Sequence, residues 1–182
     1  MKKYTFITLC TMLICLSFST MAQDRRHHIT VSPISLSELG IGIGTSYEYS
    51  VTSRVGLEIP LIINWNFLPP IPRDYYKTRV IRLMPTVKYY VVDKSRFKYG
   101  VGLGVSYGMG QDDKLSENHN SSFKQVGAFV NNGIMFFNSK GSFGIGADLS
   151  IGYHVYDNID PQYKDHYGNE LARFAFKFIF RI

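Results

Sequence analysis

The chain carries little of what covalent, redox or metal chemistry needs. Its two cysteines, Cys10 and Cys15, both lie near the N-terminus, in a segment expected to be removed. The mature chain then has no disulfide framework, thiolate zinc site or cysteine nucleophile. Helical periodicity is missing, and so are a second domain and a linker. No apolar run is long enough for a spanning helix. Charge of one sign is scarce too. The formal net charge is +6 over 182 residues, and Lys2 and Lys3 account for two of those charges. The remainder gives no nucleic-acid footprint, so no nucleic-acid partner is expected. The length suits one domain.

What is present begins with a targeting pattern. Lys2 and Lys3 form a short positive region, and Tyr4 to Phe18 is mostly apolar but too short to span a bilayer. Thr20-Met21-Ala22 places small residues at the key positions of a cleavage site. Residues 1–22 therefore read as a secretory signal peptide, with Gln23 as the mature start and 23–182 as one domain. The interruptions by Thr, Ser and Cys argue against a permanent anchor. Thr8-Leu9 before Cys10 and Leu13-Ile14 before Cys15 lack the small residue a lipidated Cys needs.

The mature part alternates with period two, the signature of strands. At the C-terminal end Phe174, Phe176, Phe178, Phe180 and Ile182 share one face, against Arg173, Ala175, Lys177, Ile179 and Arg181. The pattern recurs over Ile41–Tyr49, Val55–Phe67, Ile81–Val91, Phe97–Met109 and Phe143–Val155. Two further strands read less cleanly. His28–Leu36 changes parity at Pro33, which predicts a bulge. Lys124–Phe137 carries Asn131 and Asn132, with Val126, Ala128, Val130, Ile134 and Phe136 as its outward set. Eight strands result.

The connections alternate in length. Ser50–Arg54, Asp93–Arg96 and Asn138–Gly141 read as tight turns; Leu68–Thr78, Gln111–Ser122 and Tyr156–Asn169 read as long loops. An up-and-down meander puts the short ones at one end and the long ones at the other. Leu36–Gly40 is a short exception at the long-loop end. The expected fold is all-β: an eight-stranded antiparallel up-and-down transmembrane barrel, with both termini at the short-turn, periplasmic end.

Side-chain size decides which face points out. The apolar set is rich in Phe, Tyr, Trp and Leu and would overfill a small lumen, whereas the other set is rich in Gly and charge. Most segments run slightly longer than the roughly nine to eleven residues a tilted strand needs to cross. Aromatics gather near both ends of the apolar face: Tyr47, Tyr49, Tyr89, Phe97, Tyr99, Phe136, Phe143 and Phe180 toward the short turns, and Trp65, Phe67, Tyr107 and Tyr153 toward the long loops. Outer-membrane lipids are thus the expected surroundings.

The sequence resembles the eight-stranded outer-membrane β-barrel proteins, the OmpA/OmpX-like class, over essentially all of the mature chain. The residues that carry this are Met21-Ala22-Gln23, the strand Gly40-Ile41-Gly42-Ile43-Gly44 leading to Tyr47-Glu48-Tyr49, and the Phe-rich end. The resemblance implies a bacterial outer-membrane location. It also implies that Phe174–Ile182 is read by the outer-membrane insertion machinery, typically through a terminal aromatic; here the end is Ile182, with Phe180 before it. The expected form is a monomer.

Inward-facing charges form the candidate site. Glu48, Glu58 and Asp148 stand against Arg82, Lys88, Lys98, Arg173, Lys177 and Arg181. Glu48 and Glu58 flank one turn and should share a level with Lys88 and Lys177, with Asp148 beside Arg173 nearer mid-membrane. A structural salt-bridge network is the main reading; a narrow anion-preferring channel is the alternative, with water in the Gly-rich inner faces. A hydrolytic triad of Asp148, Ser150 and His154 fails on spacing, since Ser150 and His154 are roughly 13 Å apart along a strand. The outer positions near the long loops (Trp65, Phe67, Tyr107, Met109, Tyr153, Val155) supply no base for a lipid-modifying enzyme, and loop residues Asp112, Asp113, Ser116, His119 and His166 show no catalytic spacing. His27 and His28 alone do not make a metal site, and Asp112-Asp113 does not match a calcium loop. No cofactor is expected. The loops 69–76 and 156–167, rich in Tyr and Pro, are candidate contacts for a surface partner. The expected role is structural or interactive, without catalysis; the alternatives are an outer-membrane lipid-modifying enzyme or the narrow channel.

Overall fold

The computed structural model describes residues 27–38, 40–65, 77–114, 119–158 and 169–182. The expected signal peptide, the loop 69–76, Phe67, Ser116 and His166 lie outside the described residues, as does most of the 156–167 loop. Nine strand segments follow in order: β1 (His27–Ser37), β2 (Gly40–Ser50), β3 (Val55–Trp65), β4 (Lys77–Leu83), β5 (Thr86–Lys94), β6 (Phe97–Lys114), β7 (His119–Phe137), β8 (Phe143–Asp157) and β9 (Glu170–Arg181). All pairings are antiparallel: consecutive strands hydrogen-bond in turn, except that β4 and β5 each pair with β3 and β6 and not with one another, and β1 pairs with β9. The sheet is a closed barrel with no free edge, as a strand protein in lipid requires.

β4 and β5 are two halves of one barrel strand. The sequence pattern runs a single strand through Ile81–Val91; the structure interrupts it at Met84-Pro85. Pro85 has no N–H to give to the ladder, and Pro60 on β3 lacks one as well. Their carbonyls still accept, from Val105 N at 3.1 Å and Met84 N at 3.0 Å respectively. Face parity survives the break, because Arg82, Met84, Thr86 and Lys88 are all buried while Leu83 and Val87 are exposed. The barrel is therefore eight-stranded despite its nine segments.

The bulge predicted at Pro33 is present. The β1 register slips between Ser32 and Ser35 against β2, and between Val31 and Ile34 against β9. Pro33 and Ile34 consequently both face outward. The strand that carries the Asn pair also behaves as its alternation indicates, with Asn131 buried and Val130 and Ile134 exposed. In the tight turn after β7, Gly141 takes φ 68°, and Ser142 N donates to Asn138 Oδ1 at 3.0 Å.

One boundary differs substantially. The segment Gln111–Ser122, read as a loop, is mostly strand: β6 and β7 stay paired from Phe97↔Phe136 out to Lys114↔His119. These two strands have 18 and 19 residues, well beyond the nine to eleven or so needed to cross. They form a hairpin that extends past the membrane at the long-loop end.

The two faces of the wall could hardly differ more. Leu103 is 68% exposed and Val155 72%, whereas Glu58 is 2% exposed. Apolar side chains turned outward all around a closed sheet need lipid as their solvent. Aromatic pairs knit this belt near the short turns, with ring centroids 5.0 Å apart for Phe97–Phe136 and 5.4 Å for Phe143–Phe180.

Candidate functional site

The inner face of β4–β5 reads out the levels of the lumen. From the long-loop end its inward residues are Val80, Arg82, Met84, Thr86, Lys88 and Tyr90, all buried. Each sits at a different depth and meets a different set of partners.

At the centre, Lys88 Nζ lies 2.5 Å from Glu58 Oε2, 3.5 Å from Asp148 Oδ2 and 4.0 Å from Glu48 Oε2. Lys177 Nζ donates to Glu58 Oε1 at 2.8 Å and is ion-paired with Asp148. Ser46 Oγ donates to Glu58 Oε1 at 2.5 Å. Glu48 accepts from the Tyr90 hydroxyl and lies 3.5 Å from His28 Nδ1. These side chains come from six of the eight barrel strands. An isolated buried charge is costly, so each ion here depends on the others.

Glu48, Glu58, Lys88 and Lys177 thus meet where alternation placed them. Asp148 lies on the strand next to that of Arg173, and its ion pairs are with Lys88 and Lys177. Arg173 Nε donates to Ser35 Oγ at 3.1 Å. Barrel strands are tilted, so residues directly opposite in register do not share a depth, and long Lys side chains span the difference. Lys98 stands apart from the centre, 3.1 Å from Asp93 at the short-turn end and 4.7 Å from the Tyr90 ring centroid. Arg181 lies over the Phe137 ring at 3.5 Å.

Two features were not foreseen. The first is a pair of apolar layers inside the lumen. Ile62, Met84, Phe129 and Leu171 form one on the long-loop side of the ions; Tyr90, Met135, Phe137 and Ile179 form the other toward the short turns. The Gly-rich inner faces, read as room for water, are what these rings need. A Cβ on Gly104 would run into the Phe129 ring, one on Gly110 into Phe123, and one on Gly133 into Asp148. Glycine on one strand makes space for a large side chain on the next. Only pairing neighbours, not single strands, could have revealed this.

The second is a further ionic cluster at the external end. Glu38, in the short link between β1 and β2, reaches back over the lumen. Arg82 Nη2 donates to its Oε1 at 2.6 Å, His154 Nε2 lies 3.4 Å from the same oxygen, and Ala172 N donates to Oε2 at 3.2 Å. Burial pushes the Glu38 carboxyl up, but the hydrogen bond with His154 and the charge of Arg82 outweigh it and hold the group below the usual carboxylate range. Glu38 was missed because it lies outside the alternating segments; the unusually short link at the long-loop end was the only signal.

The structure separates the would-be triad. Asp148 is committed to the lysines, Ser150 Oγ accepts from Asn131 Nδ2 at 3.1 Å, and His154 turns to Glu38. His27 and His28 diverge as well: His27 Nδ1 is 2.5 Å from the Tyr47 hydroxyl, while His28 faces Glu48. No group of three or more His, Cys, Asp or Glu side chains suited to a metal ion occurs among the described residues.

No family model matches the sequence, and no curated protein matches it. Solved structures do match. Neisserial surface protein A (NspA) is similar at TM-score 0.60 and 13% identity, covering 86% of this chain and 95% of its own. The N-terminal β-barrel domain of OprF from Pseudomonas aeruginosa gives 0.58 and 14%, covering 85% and 96%. The chain has the fold of the small eight-stranded outer-membrane β-barrels. Ail, the attachment invasion locus protein of Yersinia pestis, shares that fold at TM-score 0.56 and 12% identity, covering 86% and 97%. A lipid-facing belt around an ion-filled core is what that outer-membrane fold requires of its sequence. It accounts for alternation so strict at identities so low.

Proposed function

We propose that the protein is a closed outer-membrane barrel that works by position, bracing the membrane and presenting its external end to surface partners, without transport or turnover. The observation that carries this is the filled lumen: two apolar layers enclose an ion network, and Glu38 with Arg82 caps it. A small ion crossing this column must displace packed rings and break buried ion pairs in turn. What is left to interact is the outside. The β6–β7 hairpin stands out there, because its pairing continues to Lys114↔His119.

The test is planar-bilayer recording on the folded full-length protein. No unit conductance above baseline is expected in potassium chloride at any voltage that the bilayer withstands; reproducible current steps would remove this reading and favour the narrow channel. Mass analysis of lipid A from cells with and without the protein should show one unchanged profile, and a protein-dependent new species would establish an enzyme instead.

A further inference from the structure

The outer wall carries a place where cationic and apolar surface adjoin. A groove of about 580 Å³ lies across the external ends of β3, β4, β6 and β7. Sheet register arranges its residues in rows. Trp65, Arg79, Gln111 and Ser122 stand opposite one another in turn. The next outward row toward the membrane centre is Ile63, Ile81, Met109 and Lys124. The one after that, Leu61, Leu83, Tyr107 and Val126, is apolar and aromatic. Over two steps the wall passes from polar and cationic to greasy.

Neither Arg79 nor Lys124 is ion-paired with a residue whose side chain is described. Both are exposed. Lys124 is anchored through its backbone, whose N donates to Asn158 Oδ1 at 2.5 Å and whose O accepts from Asn158 N at 3.2 Å. Matters differ at the other rim, where Arg54 donates to the Tyr89 hydroxyl at 3.4 Å. Above the groove the backbone pairs Lys77 with Asp113, one residue of each sign.

We propose that this groove binds a phosphorylated glycolipid of the outer leaflet. Arg79 and Lys124 take its phosphates, and Ile63, Ile81 and Met109 form the floor for its acyl chains. The chemistry is complementary at both ends. A guanidinium and an ammonium exposed at a lipid interface attract an anion, and the Arg fork fits phosphate. The two cations lie two strands and two residues apart, roughly 12 Å along the wall. A single phosphodiester meets both only if the two side chains stretch toward one another; a sugar headgroup with two phosphates gives each cation an anion of its own. Gln111, Ser122 and Asn158 line the same groove and offer hydrogen bonds to sugar hydroxyls.

Native mass spectrometry of the full-length protein in neutral detergent tests this, with bisphosphorylated lipid A, its dephosphorylated form and phosphatidylglycerol as probes. Trp65, the single tryptophan of the chain, lies in the groove and gives an independent fluorescence readout. Bisphosphorylated lipid A should bind most tightly. R79Q/K124Q should weaken it roughly 10- to 30-fold, from about one charge interaction lost per cation. K94Q/R96Q at the opposite rim should leave it unchanged. Should the double variant lose heat-modifiable migration, R79Q and K124Q alone carry the test, each expected to weaken binding several-fold. Equal binding of the phosphorylated and dephosphorylated lipids, wild-type affinity in folded charge variants, or equal affinity for phosphatidylglycerol would each overturn the proposal.

Discussion

The lumen holds two ionic clusters built on different principles. The central one uses only strand side chains: Glu48, Glu58, Lys88, Asp148 and Lys177, each fixed by the ladder that carries it. Apolar layers seal it on both sides. The external one depends on Glu38, a link residue whose side chain keeps 13% of its surface exposed. The difference shows what a closed barrel asks of a charge. Deep in the lumen ions must neutralise one another in place. At the rim one carboxylate can gather Arg82, His154 and the Ala172 amide while staying within reach of solvent protons.

The largest expected effect comes from breaking the centre. Glu58→Gln removes the charge that Lys88 and Lys177 share, leaving two buried ammoniums with too little compensation, at a cost of about 3–5 kcal/mol. Urea unfolding of the bilayer-folded protein, followed by gel mobility, measures it. A loss below about 1 kcal/mol would mean that the network does not hold the barrel together. Glu58→Leu with Lys88→Met sharpens the point, because removing a pair together should cost less than removing one member. Met84→Ala comes next. It opens the layer between the clusters and should cost about 2–3 kcal/mol, toward the low end for a buried Met because Phe129 can settle into the gap. The same unfolding assay reads it; an unchanged midpoint would show that the layer is loosely packed.

Much of this was legible from alternation. Phe174 to Ile182 alone separates a lipid face from a lumen face, and the same rule places Glu58, Lys88 and Lys177 inward. The parity slip at Pro33 marks the bulge. What alternation cannot supply is depth across strands. Asp148 and Arg173 do stand on adjacent strands, but strand tilt and Lys reach make Lys88 and Lys177 the ion-pair partners of Asp148. Phe129 went unnoticed because its partner is a glycine, Gly104, on the neighbouring strand. Glu38 belongs to no strand at all. The ladder between Lys114 and His119 was hidden by polar residues that resemble a loop.

The rim cluster should yield smaller effects. Glu38→Gln leaves Arg82 short of its carboxylate while His154 and the Ala172 amide keep a polar neighbour, so about 1–2 kcal/mol is expected in the same assay. Proton titration should give the smallest effect and the most discriminating one. Glu38 has a folded-state pKa below its unfolded value, so its contribution is fully present above pH 4.5 and is lost as pH falls through the folded value. Arg82 from β4 and His154 from β8 are the side chains that face it, and neither is a carboxylate, so nothing in the cluster replaces the lost anion. Wild type and Glu38→Gln should therefore differ in urea midpoint above pH 5 or so and converge only once pH has fallen below the folded-state value, itself under 4.5. A gap between them that stays constant across that range would assign the role of Glu38 to shape instead of charge, and would make the two clusters alike after all.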